Sequence, residues 1–275
     1  MKKKILYILF VIVFGFCFIS NSLILNKIAY ASKQNSVVFD PVAKYEFLDQ
    51  DNPGKDSVGN YDLITKVSDG FSEGAVNVND GVITFDGTAG LAAPQDNDIS
   101  DSLVDFTLCF EIKHQGSSDW KYPIGFGWDG HNRSKFFGFN VIGSEIRFND
   151  WNVDATDYSI TATEPYWQHL VGGLSTEGFS KLILSVQPGG NLNLYFDGEL
   201  KVSYNVSENF TLNDEVMTFG IGGLSMWGNI YEPYVGSIKN VEIYDFAFDS
   251  IQALEYYDVG NISTSLLVKN SISDF

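Results

Sequence analysis

Cysteine is nearly missing from this chain of 275 residues: there are two. Cys17 lies in an apolar N-terminal run that reads as removable. Cys109 is then alone, so no disulfide framework can form within one chain. Stability has to come from a packed core. Positive charge is scarce too, with 17 basic residues against 35 acidic ones and a net charge of −18. Such a chain repels nucleic acid and anionic membrane surfaces, which excludes both as partners. Histidine is rare, and His114, His131 and His169 lack the spacing of a metal triad. No serine sits in a Gly-x-Ser-x-Gly elbow. Internal repeats, a second domain and a C-terminal sorting motif are all missing.

What is present begins with an export signal. Lys2, Lys3 and Lys4 precede the apolar run Ile5 to Ile19, and a more polar region ends in Ala29-Tyr30-Ala31. That order predicts a signal peptide over 1–31 and a mature, secreted chain from Ser32. The alternative is a retained membrane anchor, but the uninterrupted apolar run is shorter than the roughly 20 residues of a spanning helix. Residues 1–31 hold four of the lysines and none of the acids, so cleavage takes the net charge to −22. Acidity of this kind suits a soluble extracellular protein or one that gathers divalent cations.

Residues 32–43 read as a lead-in, 44–258 as one domain and 259–275 as a tail. Twenty-six glycines, seven prolines and 15% aromatic residues fit an all-β fold with many turns. Asp80-Gly81 and Asp197-Gly198 are two-residue hairpin signals, and Gly143-Ser144 and Pro188-Gly189-Gly190 are further turns. Phe106, Leu108, Phe110 and Ile112 alternate along a strand, leaving Cys109 on its other face as a half-buried thiol. Roughly a dozen short strands with almost no helix argue for two packed sheets.

The chain is organised around its closing stretch, Gly236 to Phe248. Apolar Ile238, then Val241 and Ile243, alternate with one parity slip at Lys239–Asn240, which predicts a β-bulge. Asp249 with Gln252 forms a capping box before a short helix carrying Ile251, Leu254 and Tyr257.

Several pieces in order resemble laminin-G-like domains of the concanavalin A-like lectin and glucanase superfamily. They are Pro53 to Leu63, Gly81 to Gly87, Phe106 to Lys113, Tyr166 to Gly172, Leu192 to Lys201 and the closing stretch with its turn. The resemblance implies a jelly-roll sandwich of two antiparallel sheets with a short helix after the last strand. It also implies a role in binding glycans or proteins outside the cell. Residues 120–163 match none of the quoted pieces.

Hydrolytic members of that superfamily carry Glu-x-Asp-x-x-Glu on one strand, which places acid and nucleophile on one face. That motif is absent. Glu242 and Asp245 come nearest, and their opposite parity aims them at opposite faces.

Calcium wants six to eight hard oxygens. The first long loop offers Asp49, Asp51, Asn52, Asp56 and Asn60, although Asp and Asn are also ordinary turn residues. The resemblance implies a structural calcium held by Asp56 and Asp245.

A sugar-binding face uses aromatic platforms with neighbouring Asp and Asn to read hydroxyls. Four of the five tryptophans, Trp120, Trp128, Trp151 and Trp227, fall in polar, Gly-rich stretches that read as loops, whereas Trp167 reads as core. With Asp129, Asn149, Asp150 and Asn152 they form the candidate ligand site. The expected function is a secreted, non-catalytic module binding a glycan or cell-surface polysaccharide. A cell-surface protein-interaction or adhesion domain is the second reading, and a glycoside hydrolase or lyase with unrecognised carboxylates the third.

Overall fold

The computed structural model describes residues 39–94, 96–128, 136–151, 168–212, 217–226 and 229–258. The chain divides after Asp40, and all the strands belong to the compact unit that begins at Pro41. They run β1 (Ala43–Tyr45), β2 (Ile64–Val67), β3 (Asn77–Asn79), β4 (Val82–Asp86) and β5 (Ala89–Ala92). After a 3-10 turn at Ile99–Ser102 come β6 (Phe106–His114), β7 (Ser117–Trp128), β8 (Phe136–Gly143), β9 (Glu145–Trp151) and β10 (Gln168–Gly173). The last group is β11 (Ser180–Val186), β12 (Asn191–Phe196), β13 (Glu199–Asn205), β14 (Met217–Ile221), β15 (Leu224–Met226), β16 (Asn229–Tyr231) and β17 (Val235–Tyr244).

Two antiparallel sheets pack face to face as a jelly-roll sandwich. The first has the order β13-β12-β11-β6-β17-β4-β3, with β1 continuing the row of β4 along β17. The second has the order β10-β9-β8-β7-β14-β5-β2, and β15 and β16 pair as a separate hairpin.

Turn chemistry places the hairpins where the residues predict them. Asp80 and Gly81 both have positive φ (49° and 76°), as do Asp197 and Gly198 (50° and 82°), the twist that matches two flanking strands. The bulge in β17 is also where alternation slips: its register against β6 shifts between Lys239 and Glu242, and Asn240 takes φ of 51°. Asn240 anchors the irregularity by donating to Glu111 Oε1 at 2.7 Å.

Edge-to-face aromatic pairs join the two sheets. On β6, Phe106 meets Phe126 of β7 at 5.9 Å and Phe110 meets Phe139 of β8 at 5.1 Å. Each such pair adds roughly 0.5–1.5 kcal/mol to what burial of its area contributes.

The chain after β17 crosses the outer face of the first sheet. Thr107 donates to the Phe246 carbonyl and accepts from the Phe248 amide, at 2.8 and 2.9 Å. Asp249 Oδ1 accepts from the amides of Ile251 and Gln252 (2.8 and 2.9 Å), and Gln252 Oε1 accepts from the Asp249 amide (2.8 Å). That reciprocal box starts a helix over 250–258. The helix corrects the expectation for Cys109, which is wholly buried rather than half-buried because Tyr256 closes over it.

The stretch 120–163, which matches none of the family-like pieces, supplies most of β7 and all of β8 and β9, three adjacent strands of the second sheet.

Candidate functional site

Among the described residues, the outer face of the second sheet sets a small aromatic cluster beside two buried amides with unpartnered atoms. Strand β8 sends Phe137, Phe139 and Val141 into the core, so Phe136, Gly138 and Asn140 face outward. Gly138 lies opposite Gly125 of β7, and a Cβ on either would come within 3 Å of the other's Cα. The bare glycine pair lets the Phe136 ring lie down against the sheet. The Tyr122 ring meets Phe136 edge-on at 4.5 Å, and Leu224 and Tyr231 complete a second, smaller apolar cluster there.

Beside this cluster lie two buried amides. Asn149 of β9 sits opposite Gly138, and its side chain hydrogen-bonds the Tyr122 hydroxyl while its Oδ1 has no partner. Asn140, opposite Arg147, is fully buried with neither Nδ2 nor Oδ1 satisfied. Burial, with Glu232 nearby, pushes the Tyr122 phenol up to about 12. Glu232 itself takes φ of 45°, accepts from the Tyr122 amide through its carbonyl, and has its carboxylate 3.9 Å from Lys121. Arg147 is paired with Glu145 through Nε and Nη2 at 3.2 and 2.5 Å.

The tryptophans stand differently from expectation. Trp120, Trp128 and Trp151 lie in strands, not loops: the first two in β7 and the third ending β9. Strands with one glycine-rich outer face have the same composition as polar loops, so composition alone did not separate them. Trp151 is opposite Phe136, and Phe136 is opposite Gly127, the neighbour of Trp128. The two backbone positions therefore share one end of the sheet, separated by the width of two strand spacings, roughly 10 Å. Exposed Trp120 belongs to the other end of β7, roughly 25 Å away along the strand. Trp227, Asp129 and Asn152 lie outside the described residues, as does Trp167.

Asn149 and Asp150 separate by parity. Asp150 turns inward, where Tyr204 donates to its Oδ2 at 2.7 Å and His169 Nε2 stands 3.8 Å away. The His169 ring stacks on Tyr204 at 4.9 Å, so Asp150 ties β9 to the seam between the sheets. Sequence reasoning missed Tyr122, Phe136 and Asn140; the one available signal was the alternation of glycine with aromatics in Phe126 to Trp128 and Phe136 to Asn140.

Asp56 is buried under the first loop. Its Oδ1 accepts from the amides of Lys44, Val58 and Gly59 (2.9, 3.1 and 3.0 Å), and its Oδ2 from that of Tyr61 (3.1 Å). The carboxylate thereby organises the loop against β1. Asp245 is exposed just after β17. Among the described residues no group of three or more His, Cys, Asp or Glu side chains converges as a metal site, and no helix is long and apolar enough to cross a membrane.

The fold and its outer face define a lectin-like β-sandwich. A family model described as the concanavalin A-like lectin/glucanases superfamily, of the laminin G type, matches residues 85–252. With more than half its length matched, the chain belongs to that family. A search of curated proteins found no match.

Solved structures share the fold at low identity. Domain 4 of AbnA, an extracellular arabinanase from Geobacillus stearothermophilus solved with arabinotriose, is 18% identical with a TM-score of 0.55, covering 79% of this chain and 98% of that one. The sialidase of Trypanosoma rangeli is 16% identical with a TM-score of 0.57, covering 79% of this chain and 32% of that one. The binding domain of botulinum neurotoxin serotype D is 16% identical with a TM-score of 0.52, covering 80% of this chain and 51% of that one.

Proposed function

We propose that the protein is an exported, non-catalytic carbohydrate-binding module whose site is the Trp128–Trp151 end of the second sheet. One observation carries this reading: Trp151 and Phe136 are register partners at one sheet end, on the strand face that also carries the outward amide of Asn149. Aromatic surface beside a few fixed polar groups is the composition that holds a sugar ring. The lectin-like fold supports the reading, as does arabinotriose bound to one structural neighbour. Export rests on the N-terminal pattern of residues 1–31.

The test is a glycan array followed by affinity electrophoresis of the protein lacking residues 1–31. Trp151→Ala and Phe136→Ala are each expected to weaken retention tenfold or more, and Trp120→Ala to leave it unchanged. Retention that survives both of the first two changes removes the site. A protein that binds no glycan but captures a surface protein through the same residues is an adhesion domain instead.

A further inference from the structure

The reading above leaves open what kind of sugar the site takes, and the buried amides narrow it. The inference rests on that glycan reading. We propose that Asn140 and Asn149 read the hydroxyls of a neutral glycan, and that the site discriminates against acidic sugars.

Counting the unpartnered atoms gives the argument. Asn140 leaves one amide donor group and one carbonyl acceptor unused, and Asn149 leaves a second carbonyl acceptor. The two side chains stand on adjacent strands, on one face, with Asn140 wholly buried and Asn149 3% exposed. A sugar hydroxyl both donates and accepts, so neighbouring hydroxyls can satisfy two carbonyl oxygens and one amide group together. A carboxylate or sulfate offers acceptors only. Set against these amides, the anionic group itself would satisfy the single amide and give nothing to the two carbonyl oxygens, which costs an acidic sugar a donor at that position.

Charge points the same way. The guanidinium opposite Asn140 is Arg147, already paired with Glu145, and Lys121 stands near Glu232. The whole chain carries −18, which repels an anionic polymer before contact.

The amides lie below the surface of the free protein, so a ligand has to displace a side chain that borders them. Tyr122 is that side chain, since it hydrogen-bonds Asn149 and flanks Phe136. Unsatisfied buried amides lower stability, and an apolar residue of equal shape at such a position is neutral or stabilising. Buried polar groups are nearly always paired, so these amides call for a partner from outside the chain, which a ligand hydroxyl supplies.

The experiment uses the chain from Ser32 in affinity gels at 150 mM salt. One set of gels contains neutral polysaccharides (arabinan, galactan, β-glucan), the other polygalacturonate and alginate. The wild type is expected to be retarded in at least one neutral gel and in neither acidic one. Asn140→Leu is expected to lose at least tenfold in affinity with its melting temperature unchanged or raised. Asn140→Ser, which replaces the amide by a shorter hydroxyl, serves if the leucine variant fails to fold, and is expected to lose affinity likewise.

Retardation chiefly in the acidic gels overturns the proposal. So does full affinity in the Asn140 variants, and a lower melting temperature with affinity intact would assign the amides to a trapped water. If the wild type is retarded in no gel and binds no glycan on an array, the glycan reading itself falls and takes this inference with it.

Discussion

Tyr256 donates its phenol to Glu242 Oε2 at 2.8 Å, joining the helix over 250–258 to the last strand of the first sheet. Tyr244 donates to the same oxygen at 2.8 Å, and Lys44 on β1 stands 3.4 Å from Oε1. One carboxylate on the closing strand thus collects the helix, its own strand and the first strand. Burial together with these neighbouring charges pushes the Tyr256 phenol well above its ordinary range.

Tyr256→Phe removes one donor and leaves the carboxylate its other partners. The expected loss is about 1–2 kcal/mol, the range for a hydrogen bond to a charged acceptor that is not fully buried. Chemical denaturation should show a lower midpoint with an unchanged m-value.

Asp98 sets a pH dependence of unusual sign. Burial raises its carboxyl to about 6, against the amides of Ser100 and Phe219, which favour the ionised form. Between about pH 4 and 6 the folded state therefore keeps a proton that the unfolded chain releases, and stability falls as pH rises through that window. Asp98→Asn is expected to remove this component, worth at most about 3 kcal/mol. The check is the difference between wild-type and variant stability measured from pH 4 to 7. The lowered carboxyls of Asp62, Asp86 and Glu46 act with the opposite sign, below their ordinary range, and cancel in that difference.

Asp56→Asn tests whether the first loop depends on a metal or on hydrogen bonds. The amide keeps one acceptor but places a donor against the Tyr61 N–H, so a loss of about 2–3 kcal/mol is expected. The loss should be equal in calcium and in chelator if the N–H cage is the carboxylate's whole task. A calcium-dependent melting temperature in the wild type that vanishes in the variant would give Asp56 a metal.

What could be read from the sequence was what local chemistry decides. The Asp-Gly hairpins, the slip at Asn240 and the Asp249–Gln252 box each rest on a few adjacent residues whose backbone preferences leave one solution. The full burial of Cys109 is not legible around it, because its cover, Tyr256, lies 147 positions further along and is brought there by β17. Trp120 and Trp128 read as loop residues because β7 holds Pro123 and two register shifts, which blur its alternation, and Trp151 because it ends β9 among Asn and Asp. Asn140 has no signature in the residues around it. Its burial depends on the side chains of neighbouring strands, which no local pattern contains.

Cys109 gives a reporter for the helix latch. Burial pushes its thiol well above the ordinary range, with Glu242 adding to the effect, so the native protein should hardly react with a thiol reagent at pH 8. Reaction requires the helix over 250–258 to lift from the sheet, and its rate then follows the population of that open form. If Tyr256→Phe weakens the latch by about 1 kcal/mol, labelling should accelerate about fivefold, because RT is about 0.6 kcal/mol. Labelling of the chain from Ser32, which carries this thiol alone, measures the ratio directly. An unchanged rate alongside a lowered denaturation midpoint would mean that Cys109 opens by a route other than the helix, and that Tyr256 contributes to global stability without guarding the thiol.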